Sequence, residues 1–155
     1  ADAHPTDTGA DAHPTDTRAD AHPSSERETS LEAGGRRPFE APTPTGRWHL
    51  GRDIGRQYAS VSGDRNPIHL SALSAKALGF PRAIAHGMYT AARGLAAVGA
   101  ARGDSYEWTV DFAKPVLLPS SPSICIARDA DGFDLTLWNQ DAHALHLTSR
   151  VTPER

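Results

Sequence analysis

Asp64 and His69 lie on either side of Asn66-Pro67 in the run SGDRNPIH. Proline fixes its own φ and pushes the preceding residue out of the helical region, so Arg65-Asn66-Pro67 is expected to form a turn and not a helical turn. A carboxylate and an imidazole on a stiff bend can point into one space. An acceptor beside a group that titrates near neutrality is the minimal apparatus for moving a water's proton on and off. The run also fits a plainer reading, in which Asp64 caps the turn and His69 is an ordinary buried histidine.

The residues that follow add a second element to the pair. Ser71 can cap a helix running to about Gly79, with Leu70, Leu73 and Leu78 at helical spacing and Gly79-Phe80-Pro81 as the stop. Ala85-His86-Gly87-Met88 then opens an apolar helix to about Arg102, with Met88, Ala91, Leu95 and Val98 recurring every three to four residues. Its many small residues suit a helix closely surrounded by other structure. A helix that begins at a glycine presents bare N–H groups and a positive dipole end, where an oxyanion or enolate could sit.

The runs SGDRNPIH and A-x-x-x-G-F-x-x-x-I-A-H-G-M, in that order, resemble the signature of the MaoC-like dehydratases, the (R)-specific enoyl-CoA hydratase group with the hotdog fold. The similarity covers about Trp48 to Pro153. Phe112-Ala-Lys-Pro-Val-Leu-Leu-Pro119 resembles the strand leading out of that family's site, and the whole is most similar to the catalytic C-terminal half of proteins carrying two hotdog units. The resemblance implies reversible syn hydration of a trans-2-enoyl thioester to the (R)-3-hydroxyacyl thioester. It implies that Asp64 and His69 handle the water and that the Gly87 N–H receives the enolate oxygen. Asn66, His86, Met88 and Tyr89 are the implied substrate-side residues, Asn66 more as an orienter of the turn and His86 more as structure than as catalyst. Tyr89 and Trp108 are candidates for the acyl channel, although core packing explains them equally well. No metal or cofactor is implied beyond the coenzyme A or acyl-carrier thioester that bears the substrate. A hotdog thioesterase and a non-catalytic acyl-binding or assembly module are the alternatives.

The 155 residues divide in composition, with a net charge of −5 over residues 1–45 and +2 over residues 46–155. The first part opens with three nine-residue repeats, ADAHPTDTG, ADAHPTDTR and ADAHPSSER, and up to Arg37 it has one large apolar residue, Leu31. Such a segment cannot bury enough surface to offset the entropy of ordering, so a disordered tail is expected over 1–45 and a hotdog domain over 46–155. His4, His13 and His22 recur in register, but a nine-residue period in a flexible chain brings no tetrahedral metal geometry. Residues 38–47 read as a proline-rich, extended linker. The missing initiator methionine and apolar leader read as a fragment, or as a product whose beginning has been lost or replaced.

A short strand at Trp48-His49-Leu50 and a helix over Arg52–Ser62, with Ile54, Tyr58 and Val61 on one side, would deliver the chain to Asp64. After the long helix the period changes to two. Tyr106, Trp108, Val110 and Phe112 alternate with polar residues; Ile124 and Ile126 mark a second strand, Asp131-Gly132 a hairpin, Phe133, Leu135 and Leu137 a third strand, and Leu145–Val151 a fourth. A long helix followed by antiparallel strands is an α+β domain in which a sheet wraps the helix.

The single cysteine, Cys125, sits on an apolar strand and reads as core, so no disulfide framework exists and a cytoplasmic setting is the simplest expectation. No stretch is apolar enough to span a membrane, and +2 on the domain is too slight to suggest nucleic acid. Arg65, Lys76, Arg82, Arg93 and Lys114 are candidates for a carrier phosphate, each of them also explicable as surface charge. In two-unit relatives the other hotdog completes the sheet and the acyl pocket; with a tail in its place, pairing of two copies into a homodimer with a continuous sheet is expected.

Overall fold

The computed structural model describes residues 38–154 except residue 142. The nine-residue repeats, their histidines and most of the expected disordered tail lie outside the described residues. Five antiparallel strands form one sheet: β1 (Gly46–Arg47), β2 (Tyr106–Phe112), β3 (Ser123–Arg128), β4 (Phe133–Asn139) and β5 (Ala144–Pro153), in the order β1-β3-β4-β5-β2. Helix α1 (Ile54–Ser62), the single turn α2 (Pro67–Leu70), α3 (Ala72–Ala77) and α4 (Gly87–Val98) all precede β2, and a 3₁₀ turn over Gly99–Arg102 extends α4. This is the expected α+β architecture.

The hairpin between β3 and β4 forms where Asp131-Gly132 predicts it. Asp129 Oδ1 accepts the N–H groups of Asp131 and Gly132 at 2.9 and 2.8 Å and closes the turn. Gly132 is required by space, because a Cβ there would lie 2.1 Å from the carbonyl oxygen of Val151 on β5. On β4 the alternation gives way at Leu137 and Trp138, neighbours that are both fully buried, where the register with β5 shifts. Trp138 is met by the ring of Phe39 at 6.4 Å. Within the proline-rich stretch, Thr45 N–H donates to the Ile124 carbonyl at 2.8 Å and Gly46–Arg47 pair with β3. The end of that stretch is thus paired with the sheet and does not stand off from the domain as a linker.

Helix α4 packs on β4 and β5. Ala91 joins Leu137 and Leu147 in the larger core cluster, Leu95 and Val98 pack with Leu135 and Val151, and a Cβ on Gly94 would touch Leu135 at 3.2 Å. The buried positions are Thr90, Ala91 and Gly94, whereas Ala92, Ala96 and Ala97 are exposed and Met88 half so. The helix is thus covered on one face, not all round as its small residues suggest, and its α-helical part ends at Gly99 (φ +68°), not at Arg102. Val61, Leu73 and Leu78 also differ from expectation: they are 85%, 81% and 56% exposed, and α1 and α3 instead bury Gly55, Ala59 and Ala75. Phe112, at the end of the otherwise half-buried face of β2, is exposed as well. Cys125 is half-buried. Among the described residues, no helix is long and apolar enough to cross a membrane.

His146 on β5 is buried and its Nδ1–H donates to the Lys114 carbonyl at 3.1 Å, tying β5 to the chain leaving β2. Burial holds its pKa below 6.5. The unfolded chain therefore takes up a proton, as pH falls through the mid-sixes, that the folded chain refuses, and stability is lost on the acid side. The urea midpoint is expected to fall between about pH 7 and pH 5, and to fall less in His146→Gln. Gly132→Ala is expected to lower the unfolding free energy by about 1–3 kcal/mol in the same titration, through the clash with the Val151 carbonyl.

Candidate active site

The site forms where α1, α2 and the start of α4 meet. Asn66 is extended (φ −56°, ψ 126°), as a residue before proline should be, and Pro67 then starts α2, so that His69 lies within a helical turn just past the bend. Two side-chain turns set the loop: Asp64 Oδ1 accepts the Asn66 N–H at 3.1 Å and Asn66 Oδ1 accepts the Ile68 N–H at 3.2 Å. α1 lies directly on α2, since a Cβ on Gly55 would fall 1.8 Å from the His69 carbonyl oxygen. The Ser74 hydroxyl donates to the Pro67 carbonyl at 2.7 Å from below.

Ile84 holds His69 twice over. Its N–H donates to the Ile68 carbonyl at 3.1 Å, and its own carbonyl accepts His69 Nδ1–H at 2.9 Å. A carbonyl only accepts, so the His69 proton is on Nδ1 and Nε2 carries the free lone pair. Ile84 is itself fixed, bridged to Leu117 with Ala85 N–H on the Val116 carbonyl at 2.8 Å.

His86 caps α4 and is 3% exposed. Its ring stacks on that of His69 with centroids 3.7 Å apart and 25° between planes, and its Nε2–H donates to the Asp64 backbone carbonyl at 3.0 Å. The row of rings continues through Tyr58 (4.9 Å from His86) to Tyr89 (5.6 Å from Tyr58). Tyr89 OH accepts from Arg93, whose guanidinium lies 4.8 Å over Trp48. Asp64 Oδ2 lies 4.0 Å from His69 Nε2 and 3.6 Å from His86 Nε2, with the carboxylate side chain 53% exposed. The structure therefore brings Asp64, His69 and His86 together and places Gly87 next in sequence to the stacked ring.

Burial pushes the His69 pKa below 6.5, and the nearby His86 adds to this; the Ile84 hydrogen bond and the Asp64 carboxylate act the other way. His69 is consequently a neutral base at neutral pH. Its N–H is oriented inward and its lone pair faces the carboxylate. One ligand atom from each of Asp64, His69 and His86 lies within 4.8 Å of the others, so the three could also hold a divalent ion. Using His86 Nε2 for that would break its bond to the Asp64 carbonyl.

The remaining sequence-selected residues divide. Asn66 acts within the turn, as expected. Met88 is half exposed at the first turn of α4. Tyr89 is tied into the ring row, and Trp108 is half-buried in the core with Nε1–H on Ser149 Oγ at 2.8 Å. Phe112 is the aromatic residue that reaches the helix start: its ring atoms lie 3.1–3.4 Å from where a Gly87 Cβ would be. Its place at the end of the alternating strand was the available signal. Tyr58, Gly55 and Ile84 were not selected from sequence, because their roles are contacts across the fold.

Two neighbours pull on His69 in opposite directions. Asp64→Asn is expected to lower the His69 pKa further, by removing the charge that favours imidazolium, and His86→Leu to raise it toward 6.5. Titration of the His69 ring by NMR measures both; an unmoved midpoint in Asp64→Asn would show that the carboxylate does not face the ring. Gly55→Ala is expected to destabilise the chain by about 1–3 kcal/mol in urea and to shift the His69 ring resonances, since the added methyl meets backbone.

Residues 30–127, more than half of the chain, match the MaoC like domain. The chain is 49% identical over 96 residues to 3-hydroxyacyl-thioester dehydratase X of Mycobacterium tuberculosis, an alignment that covers 62% of this chain and 34% of that protein. It thus spans about a third of the length of that relative. The solved structure of HtdX of Mycobacterium tuberculosis superimposes with a TM-score of 0.68 at 43% identity, over 72% of this chain and 48% of that one. An unliganded R-hydratase of Pseudomonas aeruginosa superimposes with a TM-score of 0.55 at 25% identity, over 76% of this chain and 86% of that one. The signature runs, the five-stranded sheet with its helix and these matches together make the chain a member of the MaoC-like domain family, with the hotdog fold.

Proposed function

We propose that this domain hydrates trans-2-enoyl thioesters reversibly to (R)-3-hydroxyacyl thioesters, as a hydro-lyase of acyl-lipid metabolism. The observation that carries the reading is the 4.0 Å gap between the His69 Nε2 lone pair and Asp64 Oδ2. It is too long for a direct hydrogen bond, and it matches one water donating a hydrogen to each at about 2.8 Å. In the forward direction that water's oxygen bonds to the β-carbon as His69 Nε2 takes its proton. The double-bond electrons pass through the α-carbon to the thioester oxygen, making an enolate. The enolate collapses as the proton is delivered to the α-carbon on the same face. Dehydration runs these steps in reverse.

The enolate oxygen needs a donor in place before the charge develops. Gly87 N–H is the first of α4 and the helix does not use it itself, which supports its assignment to that oxygen. Met88 and Phe112 flank it from helix and sheet and fit an acyl chain, and Asn66 and His86 hold Asp64 and its turn. No resident cofactor or metal enters these steps. The acyl group arrives on coenzyme A or an acyl carrier, in a cytoplasmic setting. The name of the mycobacterial relative, a 3-hydroxyacyl-thioester dehydratase, supports the substrate class.

The site is open on one side. Met88 and Phe112 beside Gly87 are exposed, as are Ala92, Ala96 and Ala97 of α4, and among the described residues seven-residue β2 is an edge of the sheet. These features support a homodimer paired along β2, with the two α4 helices facing.

With crotonyl-CoA the chain is expected to bleach the enoyl absorbance without releasing thiol; thiol release instead would mean a thioesterase. Asp64→Asn and His69→Gln are each expected to lower the rate about 10²–10⁴-fold. Light scattering at micromolar concentration is expected to return a dimer, and a monomer would overturn the pairing.

A further inference from the structure

Behind the His69 turn lies a cavity of about 450 Å³ whose walls include Arg52, Arg56 and Arg82 and whose floor includes Leu70, Ser71 and Leu118. No carboxylate lines it. Asp53, next to Arg52 in the chain, is engaged by the Gln57 side-chain amide instead. Two of the guanidiniums are already oriented by backbone: Arg56 donates to the Leu70 carbonyl at 3.2 Å and Arg82 to the Pro119 carbonyl at 3.3 Å. Among the described residues, none of the three arginines pairs with an acid. By contrast, Arg150 on the sheet is paired with both Asp129 and Asp134. All three arginines are exposed and border one concavity that no carboxylate lines, so an anion seated there would meet positive charges and no negative one.

The arginines come from two separated stretches, the start of α1 (Arg52 just before it and Arg56 within it) and the segment before Ile84 (Arg82), which the fold brings to one cavity. Guanidinium forks suit phosphate oxygens in particular, through paired, charge-assisted N–H···O bonds. The cavity also adjoins the chemistry. Leu70 follows His69 in the chain, and Ala83, another lining residue, precedes the Ile84 whose carbonyl holds the His69 ring. A group seated there is anchored to the same backbone that positions the base.

We infer that the Arg52-Arg56-Arg82 cavity binds the phosphate of the pantetheine carrier that delivers the acyl group. The inference rests on the thioester reading above and names the part of the substrate that this second site holds. Coenzyme A and a phosphopantetheinylated carrier protein share the pantetheine 4′-phosphate; coenzyme A adds a second phosphate in its diphosphate link and a 3′-phosphate on its ribose. Arg82 was among the phosphate candidates of the sequence, whereas Arg52 and Arg56 were not. Arg93, another of those candidates, is committed to Tyr89 and Trp48.

The test is calorimetric binding of coenzyme A, dephospho-coenzyme A and 4′-phosphopantetheine to the full chain and to Arg52→Gln, Arg56→Gln, Arg82→Gln and the triple variant. Each single change is expected to raise the Kd for coenzyme A about tenfold, and the triple change about 10²-fold or more, with the salt dependence of binding flattened. Equal losses for phosphopantetheine and coenzyme A would point to the 4′-phosphate as the group bound, the feature a carrier protein shares. A loss confined to coenzyme A forms bearing the 3′-phosphate would assign the cavity to the nucleotide end and overturn the pantetheine assignment. Unchanged coenzyme A binding in a triple variant that keeps its circular dichroism and urea midpoint overturns the site altogether, as does failure of the unmodified chain to bind coenzyme A at millimolar concentration. Turnover of crotonyl-N-acetylcysteamine, which has no phosphate, is measured alongside. It is expected to be unchanged in the triple variant. Arginine-dependent binding without that turnover would leave the phosphate site standing while removing the hydratase.

Discussion

The bond from His69 Nδ1–H to the Ile84 carbonyl is the constraint on which the site depends. It fixes which nitrogen is free, it fixes the plane of the ring, and it ties α2 to the strand-like segment 83–85 that pairs with residues 116–118. A buried imidazole with both nitrogens unsatisfied would be an expense to the fold and an indifferent base, since either tautomer would serve. With Nδ1 committed, the lone pair at Nε2 has one direction. The direct approach of Gly55 to the His69 carbonyl and the Asn66 cap hold the backbone, so the ring's position follows from packing as well as from its own hydrogen bond.

His86 extends that constraint to the carboxylate. Donating to the Asp64 main-chain carbonyl leaves both Asp64 side-chain oxygens outside the His86 bond, one held by the Asn66 N–H and the other facing His69. The stack of the two rings keeps water from one face of His69, and burial is what keeps that base neutral. The pair is thus asymmetric by environment: a buried imidazole with a lowered pKa beside a carboxylate that is half in solvent. That asymmetry leaves the His69 lone pair as the site's buried proton acceptor.

Local chemistry was legible in the sequence and surface coverage was not. The Asn66-Pro67 bend, the Ser71 cap, the Gly87 start of α4 and the Asp131-Gly132 hairpin each follow from one or two residues acting on their own backbone, and each is found in place. Apolar spacing, by contrast, reports that a face wants cover without saying what covers it. Val61, Leu73 and Leu78 keep helical period and nonetheless point outward, and the small residues of α4 face the sheet on one side and solvent on the other. The same limit hid Gly55, Tyr58 and Ile84: no local pattern marks a glycine that meets a carbonyl fourteen residues away, or a carbonyl that chooses a tautomer.

An enolate oxygen in contact with bulk water would gain little from a helix N–H, because hydrogen bonds of that kind act strongly where water is excluded. In this chain Met88 and Phe112, beside the Gly87 N–H that the proposed function assigns to that oxygen, face solvent. A second hotdog unit laid against α4 would cover Met88 and Phe112 and dry the proposed oxyanion position in the same step. The exposed alanines of α4 favour that geometry, since side chains of one carbon let helices approach closely. Under the proposed function, a partner surface there would supply the low-dielectric environment that the described residues, open on this side, do not make alone.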